Sequence, residues 1–249
     1  MRYNAEGIIL RKQNFRDSDS FFSVYTAEKG KVEAIARGVK KSKSKLGGHL
    51  DYFLVADLMI AEGKKFNHIG GALISRNFSN IKNDLRKINL GFYCLEIADH
   101  LIKTEKEDKR IFLLLRNLME ALEKKDDKAD YFQSLGISYA FILKLLIYLG
   151  YRPDFSNCLE CKDNLRRGGN KFFDPASGSV ICGRCSGDRN GKITISDKII
   201  EKIDLLIEAD LKKFEIKKEE LGDLIKIIDP FLLYRLDGEI KSRRFLVKS

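Results

Sequence analysis

Cys158-Leu159-Glu160-Cys161 and Cys182-Gly183-Arg184-Cys185 lie twenty residues apart in one short, polar, glycine-rich stretch of this 249-residue chain. A Cys-x-x-Cys bend aims two sulfurs at one side of a tight turn. Two such bends complete the thiolate tetrahedron that Zn²⁺ prefers, with bonds of about 2.3 Å. Within the spacer, Lys171 to Phe173 and Ser179 to Ile181 read as short β runs. They flank the turn-rich string Asp174-Pro175-Ala176-Ser177-Gly178, which folds the second pair back onto the first. Two disulfides, or two redox pairs, are the competing reading. The cysteine total of five is odd and no secretory segment follows Met1-Arg2-Tyr3-Asn4, so zinc ranks ahead and an iron–sulfur cluster is the other metal option. Four protein ligands leave no position for a catalytic water, so the metal is expected to be structural. Cys94 reads as a small buried side chain within a helix.

Outward from this stretch, the chain divides by its hydrophobic period. Residues 1–78 are short β runs cut by glycine and charge: Glu6 to Lys12, Phe21 to Tyr25, Val32 to Arg37, Phe53 to Ile60 and Phe66 to Ser75. Five strands with one long irregular connection between the third and fourth predict a small closed barrel of the OB type. Residues 79–249 predict a helical domain with the ribbon, 154–190, inserted in it. The fold class is therefore α+β. Apolar residues at helical spacing run from Ile81 to Ile102, a second helix spans Lys109 to Lys124, and a third starts near Lys128 and ends before Gly150 and Pro153. Ser196 caps a fourth helix. The fifth, Lys218 to Leu236, contains Pro230, expected to kink it or mark its start. The two late helices are expected to pack back on the first three.

The net charge is +10, and residues 1–80 hold 14 Lys and Arg against 8 Asp and Glu, so the first third is the more basic part. Such a balance favours an anionic partner. Between Lys29 and Lys45 stand Lys29, Lys31, Arg37, Lys40, Lys41, Lys43 and Lys45 against one acid, Glu33. Lysines alternating with serines suit a phosphate backbone and have no means of reading base edges; a solvated loop that merely keeps the protein soluble is the plain alternative. Arg11, Lys12 and Arg16 extend the same track. Phe15, Tyr25, Tyr52 and Phe66 are candidates for stacking on bases, with barrel core as the plain alternative for each. A nucleotide-cradling Gly-x-x-x-x-Gly-Lys loop and a nucleophile elbow are both missing, and no run of eighteen apolar residues is present. A soluble, cytoplasmic binding protein is expected, with no bond-making chemistry, no membrane and no small-molecule substrate.

The order of parts, together with Gly7 to Arg11, Asp17 to Phe21, Glu28 to Val32, Ala36 to Ser44, Leu50 to Phe53, Leu149 to Pro153, Phe173 to Gly178 and Ile240 to Arg244, resembles the RecO family of bacterial recombination-repair mediators. Tyr52 stands where the family pattern has a proline, Asp17 to Asp19 is a variant of its acidic turn, and some members lack the cysteines. The resemblance implies an ATP-independent protein that binds single-stranded DNA, anneals complementary strands and, with RecR, helps load RecA onto DNA coated by single-strand-binding protein. It further implies that the helical domain receives protein partners, including the acidic tail of single-strand-binding protein. A zinc-ribbon transcription or RNA-processing regulator and a Mg²⁺-dependent nuclease are the alternatives from other classes.

Overall fold

The computed structural model describes residues 1–103, 106–124, 131–165, 169–187 and 193–246. Five strands, β1 (Arg2–Asn14), β2 (Ser20–Thr26), β3 (Gly30–Ala36), β4 (Leu54–Ala61) and β5 (Asn67–Asn77), form a closed barrel in the order β1-β2-β3-β5-β4. Closure rests on a parallel seam between β3 and β5, with Ala34 opposite Asn67 and Ile35 opposite His68. The other pairs are antiparallel. β1 is long enough to pair with β4 through residues 2–7 and with β2 from Gly7 onward, and its register shifts between Ile9 and Arg11. Gly7 marks the handover. A Cβ there would lie 2.7 Å from Leu58 and 2.8 Å from Val24, so the strand passes the barrel interior only without a side chain. That interior holds Ile9, Phe22, Val24, Val32, Leu58, Ile60 and Ile69, with Ala34, Ala36 and Ala56 admitting the larger neighbours.

After β5 the single helix expected from Ile81 onward is two helices, α1 (Ser79–Lys82) and α2 (Leu85–Leu101). Asp84 separates them. Its backbone is extended and its carboxylate accepts from the Arg86 and Lys87 N–H groups, so it starts a new helix. α3 (Lys109–Glu123) follows, with Asp108 as its cap. Contacts group these helices with the barrel in one unit, residues 1–129, which residues 239–249 rejoin. The returning tail is a 3₁₀ turn (Lys241–Phe245) whose first N–H groups, Lys241 at 3.0 Å and Ser242 at 2.9 Å, donate to the Glu96 carboxylate.

α2 is seated on the barrel by two devices. Gly91 admits the Phe53 ring, to which an added Cβ would come within 2.4 Å, and Phe53 takes a left-handed backbone (φ 57°) to reach it. Nearer the other end, the buried Asp99 carboxylate accepts from Arg11 Nε of β1 at 2.7 Å, Ser23 Oγ of β2 at 2.6 Å and Lys31 Nζ of β3 at 2.9 Å. One acid thus ties α2 to three strands.

The second unit, residues 130–238, holds α4 (Tyr131–Tyr148), α5 (Asp197–Glu208) and α6 (Lys218–Leu233) with a four-stranded sheet between α4 and α5 in sequence. The start expected for α4, near Lys128, lies outside the described residues. Within this unit the late helices pack on α4, the third of the helices expected to receive them. Tyr139 donates to Asp229 at 2.7 Å, and Gly136 leaves room for Ile216. By length and hydropathy α4 alone, among the described residues, could cross a membrane, but 61% of it is buried within the fold. Ser196 caps α5 as expected, its Oγ accepting from the Ile199 N–H. Pro230 lies in the last turn of α6, which ends at Leu233.

Burial alone would raise the Asp99 carboxyl. The Ser23 and Lys31 hydrogen bonds and the Lys31 and Arg11 charges overcome this and hold it below its ordinary value. Its stabilising effect is therefore complete above the unfolded-state pKa of about 3.9 and is lost as pH falls from there through the lower folded-state value. Asp99→Asn is expected to destabilise the protein by on the order of 3 kcal/mol at pH 7. Urea unfolding followed between pH 3 and pH 7 should show a shallower acid dependence in the variant than in the parent.

Candidate nucleic-acid interface and thiolate metal centre

The connection from β3 to β4, residues 37–53, is a chain of turns. Val39 and Leu50 are buried in the barrel core, and Leu46 packs against it. Between these plugs, Lys41 N donates to Gly38 O (3.1 Å), Ser44 N to Lys41 O (2.9 Å) and His49 N to Leu46 O (3.0 Å). Gly38 takes a left-handed conformation (φ 63°), and its N–H donates to the Asp19 carboxylate at 2.8 Å. That bond is the main cause of Asp19's depressed pKa. Lys40 continues the attachment, its N–H meeting Ser18 O and its Nζ meeting Arg16 O, each at 3.1 Å. The basic connection is thereby fastened to the β1–β2 turn.

The ten basic residues picked out in the sequence separate into two groups. Arg16, Lys29, Arg37, Lys40, Lys41, Lys43 and Lys45 are exposed. Among the described residues, none of these seven forms an ion pair. Arg11 and Lys31 are instead engaged by Asp99, and Lys31 also donates to the carbonyls of Asp99 and Ile102 at the C-terminus of α2. There it neutralises the helix end. Lys12 is half-buried, with Nζ 3.3 Å from Leu50 O.

The four aromatic candidates divide as well. Tyr25 is core: it is fully buried, donates to Asp108 O at 3.0 Å, and burial pushes its phenol up to about 12. Tyr52 packs edge-on to Phe92, and its hydroxyl accepts from the Lys12 N–H at 2.8 Å, so the tyrosine in place of proline joins the connection to β1. Phe15 and Phe66 do come together, with ring centres 6.2 Å apart. Phe21, which the strand pattern did not single out, joins them at 5.7 Å from Phe66.

In the second unit, β6 (Asp154–Cys158) runs parallel to β8 (Ser179–Cys182), while β7 (Lys171–Asp174) pairs antiparallel with β8 and with β9 (Ile193–Thr194). Cys158 and Cys182 end the two parallel strands, and Cys161 and Cys185 lie in the turns that follow. All four sulfurs lie within 4.8 Å of one another, and those of Cys161 and Cys182 are 3.8 Å apart. A tetrahedron with 2.3 Å metal–sulfur bonds has edges of about 3.8 Å, whereas a disulfide needs about 2.05 Å. The donor set fits one thiophilic metal ion.

The local electrostatics point the same way. Burial opposes ionisation of Cys158, but backbone N–H groups of Cys182 (3.4 Å from the sulfur), Cys161 and Glu160 bring its thiol down to about 6. Cys185, interacting with Cys161 and Cys182, is pushed up to about 12. Four thiolates at this spacing repel one another unless a cation lies between them. Far from the cysteines the ribbon is held to α6. Phe173 meets Phe231 (5.8 Å), and Arg235 Nη1 donates to Pro175 O (2.9 Å). Gly178, in a left-handed turn, lies where a Cβ would come within 2.5 Å of Phe231.

An OB-type barrel fastened to helices, followed by a helical unit carrying a four-thiol ribbon, defines a two-part protein. The sequence pattern described as Recombination protein O N terminal matches residues 1–78, and Recombination protein O C terminal matches residues 82–244. The chain is 30% identical over 247 residues to a DNA repair protein RecO of Dehalococcoides mccartyi, covering 98% of this chain and 94% of that one. It is 26% identical to DNA repair proteins RecO of Symbiobacterium thermophilum (98% and 96% covered) and of Caldanaerobacter subterraneus subsp. tengcongensis (100% and 99%). The chain belongs to the RecO family of DNA repair proteins.

The donor set predicts uptake of one divalent thiophilic ion per chain. With Cd²⁺ as probe, a thiolate-to-metal absorption band should saturate at one equivalent. Cys182→Ser should lose the band, and Cys94→Ser, in the other unit, should keep it.

Proposed function

We propose that this protein is a recombination mediator that holds single-stranded DNA on its barrel and anneals complementary strands without ATP, acting with RecR to help load RecA onto DNA coated by single-strand-binding protein. The observation that carries the reading is the row of exposed Lys40, Lys41, Lys43 and Lys45 on a connection pinned at both ends by buried side chains. Phosphates of a strand laid along that row would exchange their counterions for ammonium groups, and the bases would be left free to pair. Arg16, Lys29 and Arg37 extend the cationic surface. Lys12 lies on its margin, whereas Arg11 and Lys31 act through Asp99 to place β1 and β3 rather than by touching DNA. The chemistry is binding, with no bond made or broken in the DNA, and the setting is the cytoplasm.

We assign the four cysteines as ligands of one structural Zn²⁺. A closed thiolate tetrahedron suits that ion, and its binding energy would be folding energy for strands of two to five residues. Bound zinc would hold the ribbon's shape and offer no Lewis-acid position.

The test is annealing of complementary labelled oligonucleotides coated with the cognate single-strand-binding protein, with Mg²⁺ and no nucleotide. Faster annealing of intact strands is expected, and strand cleavage would refute the reading. Replacing Lys40, Lys41, Lys43 and Lys45 together by Ala should flatten the log–log salt dependence of single-strand binding by about 0.7 for each phosphate that is no longer neutralised. An unchanged slope would place the phosphates elsewhere.

A further inference from the structure

Phe15, Phe66 and Phe21 form a cluster on the barrel's outer surface at the β3–β5 seam. β2 and β3 pair Phe21 with Ile35, and β3 and β5 pair Ile35 with His68, so closure carries Phe66 alongside Phe21. Phe15 arrives from the end of β1 in a tight turn, with Phe15 N donating to Asp19 O at 3.2 Å and Asp19 N to Arg16 O at 3.3 Å. Phe66 meets both neighbours edge-on, at interplanar angles of 71° and 86°, an arrangement that fixes the ring orientations. Phe15 is nonetheless 40% exposed.

A cation lies near the ring of each phenylalanine: Arg16 at 5.3 Å from Phe15, Lys65 at 5.6 Å from Phe66 and Arg11 at 5.7 Å from Phe21. Phe22, the residue after Phe21 on β2, is by contrast fully buried in the barrel. The same turn that presents Phe15 and Arg16 also receives Lys40 through two hydrogen bonds. Rings and loop lysines therefore belong to one continuous surface.

We infer that Phe15, supported by Phe66, is a stacking step for unpaired bases of a DNA strand, and that it makes the barrel prefer single strands to the duplex that annealing produces. The inference rests on the reading that the lysine row holds the strand's phosphates. Every base offers a face to a ring, so the contact is tolerant of sequence. In a duplex those faces are already stacked inside the helix and the ring cannot reach them. A base that pairs must leave Phe15, so pairing itself removes part of the grip on the product.

The experiment uses the full chain and fluorescence anisotropy with three probes: a labelled single strand, the same strand with abasic sites, and the duplex. The parent protein should bind the normal strand roughly tenfold tighter than the abasic strand. Phe15→Ala should lose that factor on the normal strand and nothing on the abasic one. Its ratio of single-strand to duplex affinity should narrow, and Phe15→Trp should restore it, while the salt slope stays fixed throughout. If the parent binds normal and abasic strands equally but with a steep salt slope, the stacking step is wrong and the lysine row stands. If Phe15→Ala weakens all three probes alike, the residue is merely structural and the inference is overturned. If the parent binds no strand at all, the lysine reading falls and the stacking step falls with it.

Discussion

Closure of a five-stranded sheet is the constraint on which the first unit depends. Left open, so small a sheet would present two edges with unpaired backbone groups. Here β3 and β5 remove them with only two opposed residue pairs, Ala34 with Asn67 and Ile35 with His68. So short a seam requires the rest of the ring to be correctly curved beforehand. β1 provides the curvature by serving two partners, with Gly7 where no Cβ fits and a register shift between Ile9 and Arg11. Alanines at 34, 36 and 56 then let a narrow barrel enclose Phe22 and Leu58.

Closure also decides what the surface can do. It leaves the β3–β4 connection as an excursion that must be anchored, and Val39 and Leu50 anchor it by entering the core from its two ends. Lys40, Lys41, Lys43 and Lys45 leave the chain between those two buried points. Asp99 accounts for the other part of the charge. A carboxylate this buried would be unfavourable without partners, and Arg11, Lys31 and Ser23 satisfy it at three points. Two of the cations in the basic third therefore serve the fold, and the exposed row leaves a positive field at the surface.

Much of this is legible in the amino-acid order itself. Strand runs cut by glycine point to the barrel, and the paired Cys-x-x-Cys bends point to the ribbon, because both signals are local. What is not legible depends on residues distant in sequence. Nothing around Lys31 announces that an acid 68 positions later will claim it. Phe21 alternates with buried Phe22, and only the arrival of β5 turns its outward face into an aromatic cluster. The break before α2 is present in the sequence as Asp84, a good cap interrupting an otherwise continuous apolar stripe. The seating of α2 on the barrel follows from the room Gly91 leaves for Phe53, a complementarity that periodicity cannot express.

The ribbon shows how a small sheet can be held from two ends. Its β7–β8 hairpin has Asp174 opposite Ser179 at the turn and Lys171 opposite Cys182 at the open end. Phe231 of α6 and Arg235, just beyond the end of that helix, grip the turn, and the cysteines gather at the open end. Strands of two to five residues bury too little apolar surface to persist alone, so each end needs its fastening. The two fastenings differ in kind: one is apolar packing with hydrogen bonds to carbonyls, the other a set of four sulfurs spaced so that they could hold one metal ion. With a metal bound there, its removal would loosen the two cysteine turns first, while the Asp174 to Gly178 turn stays seated on α6.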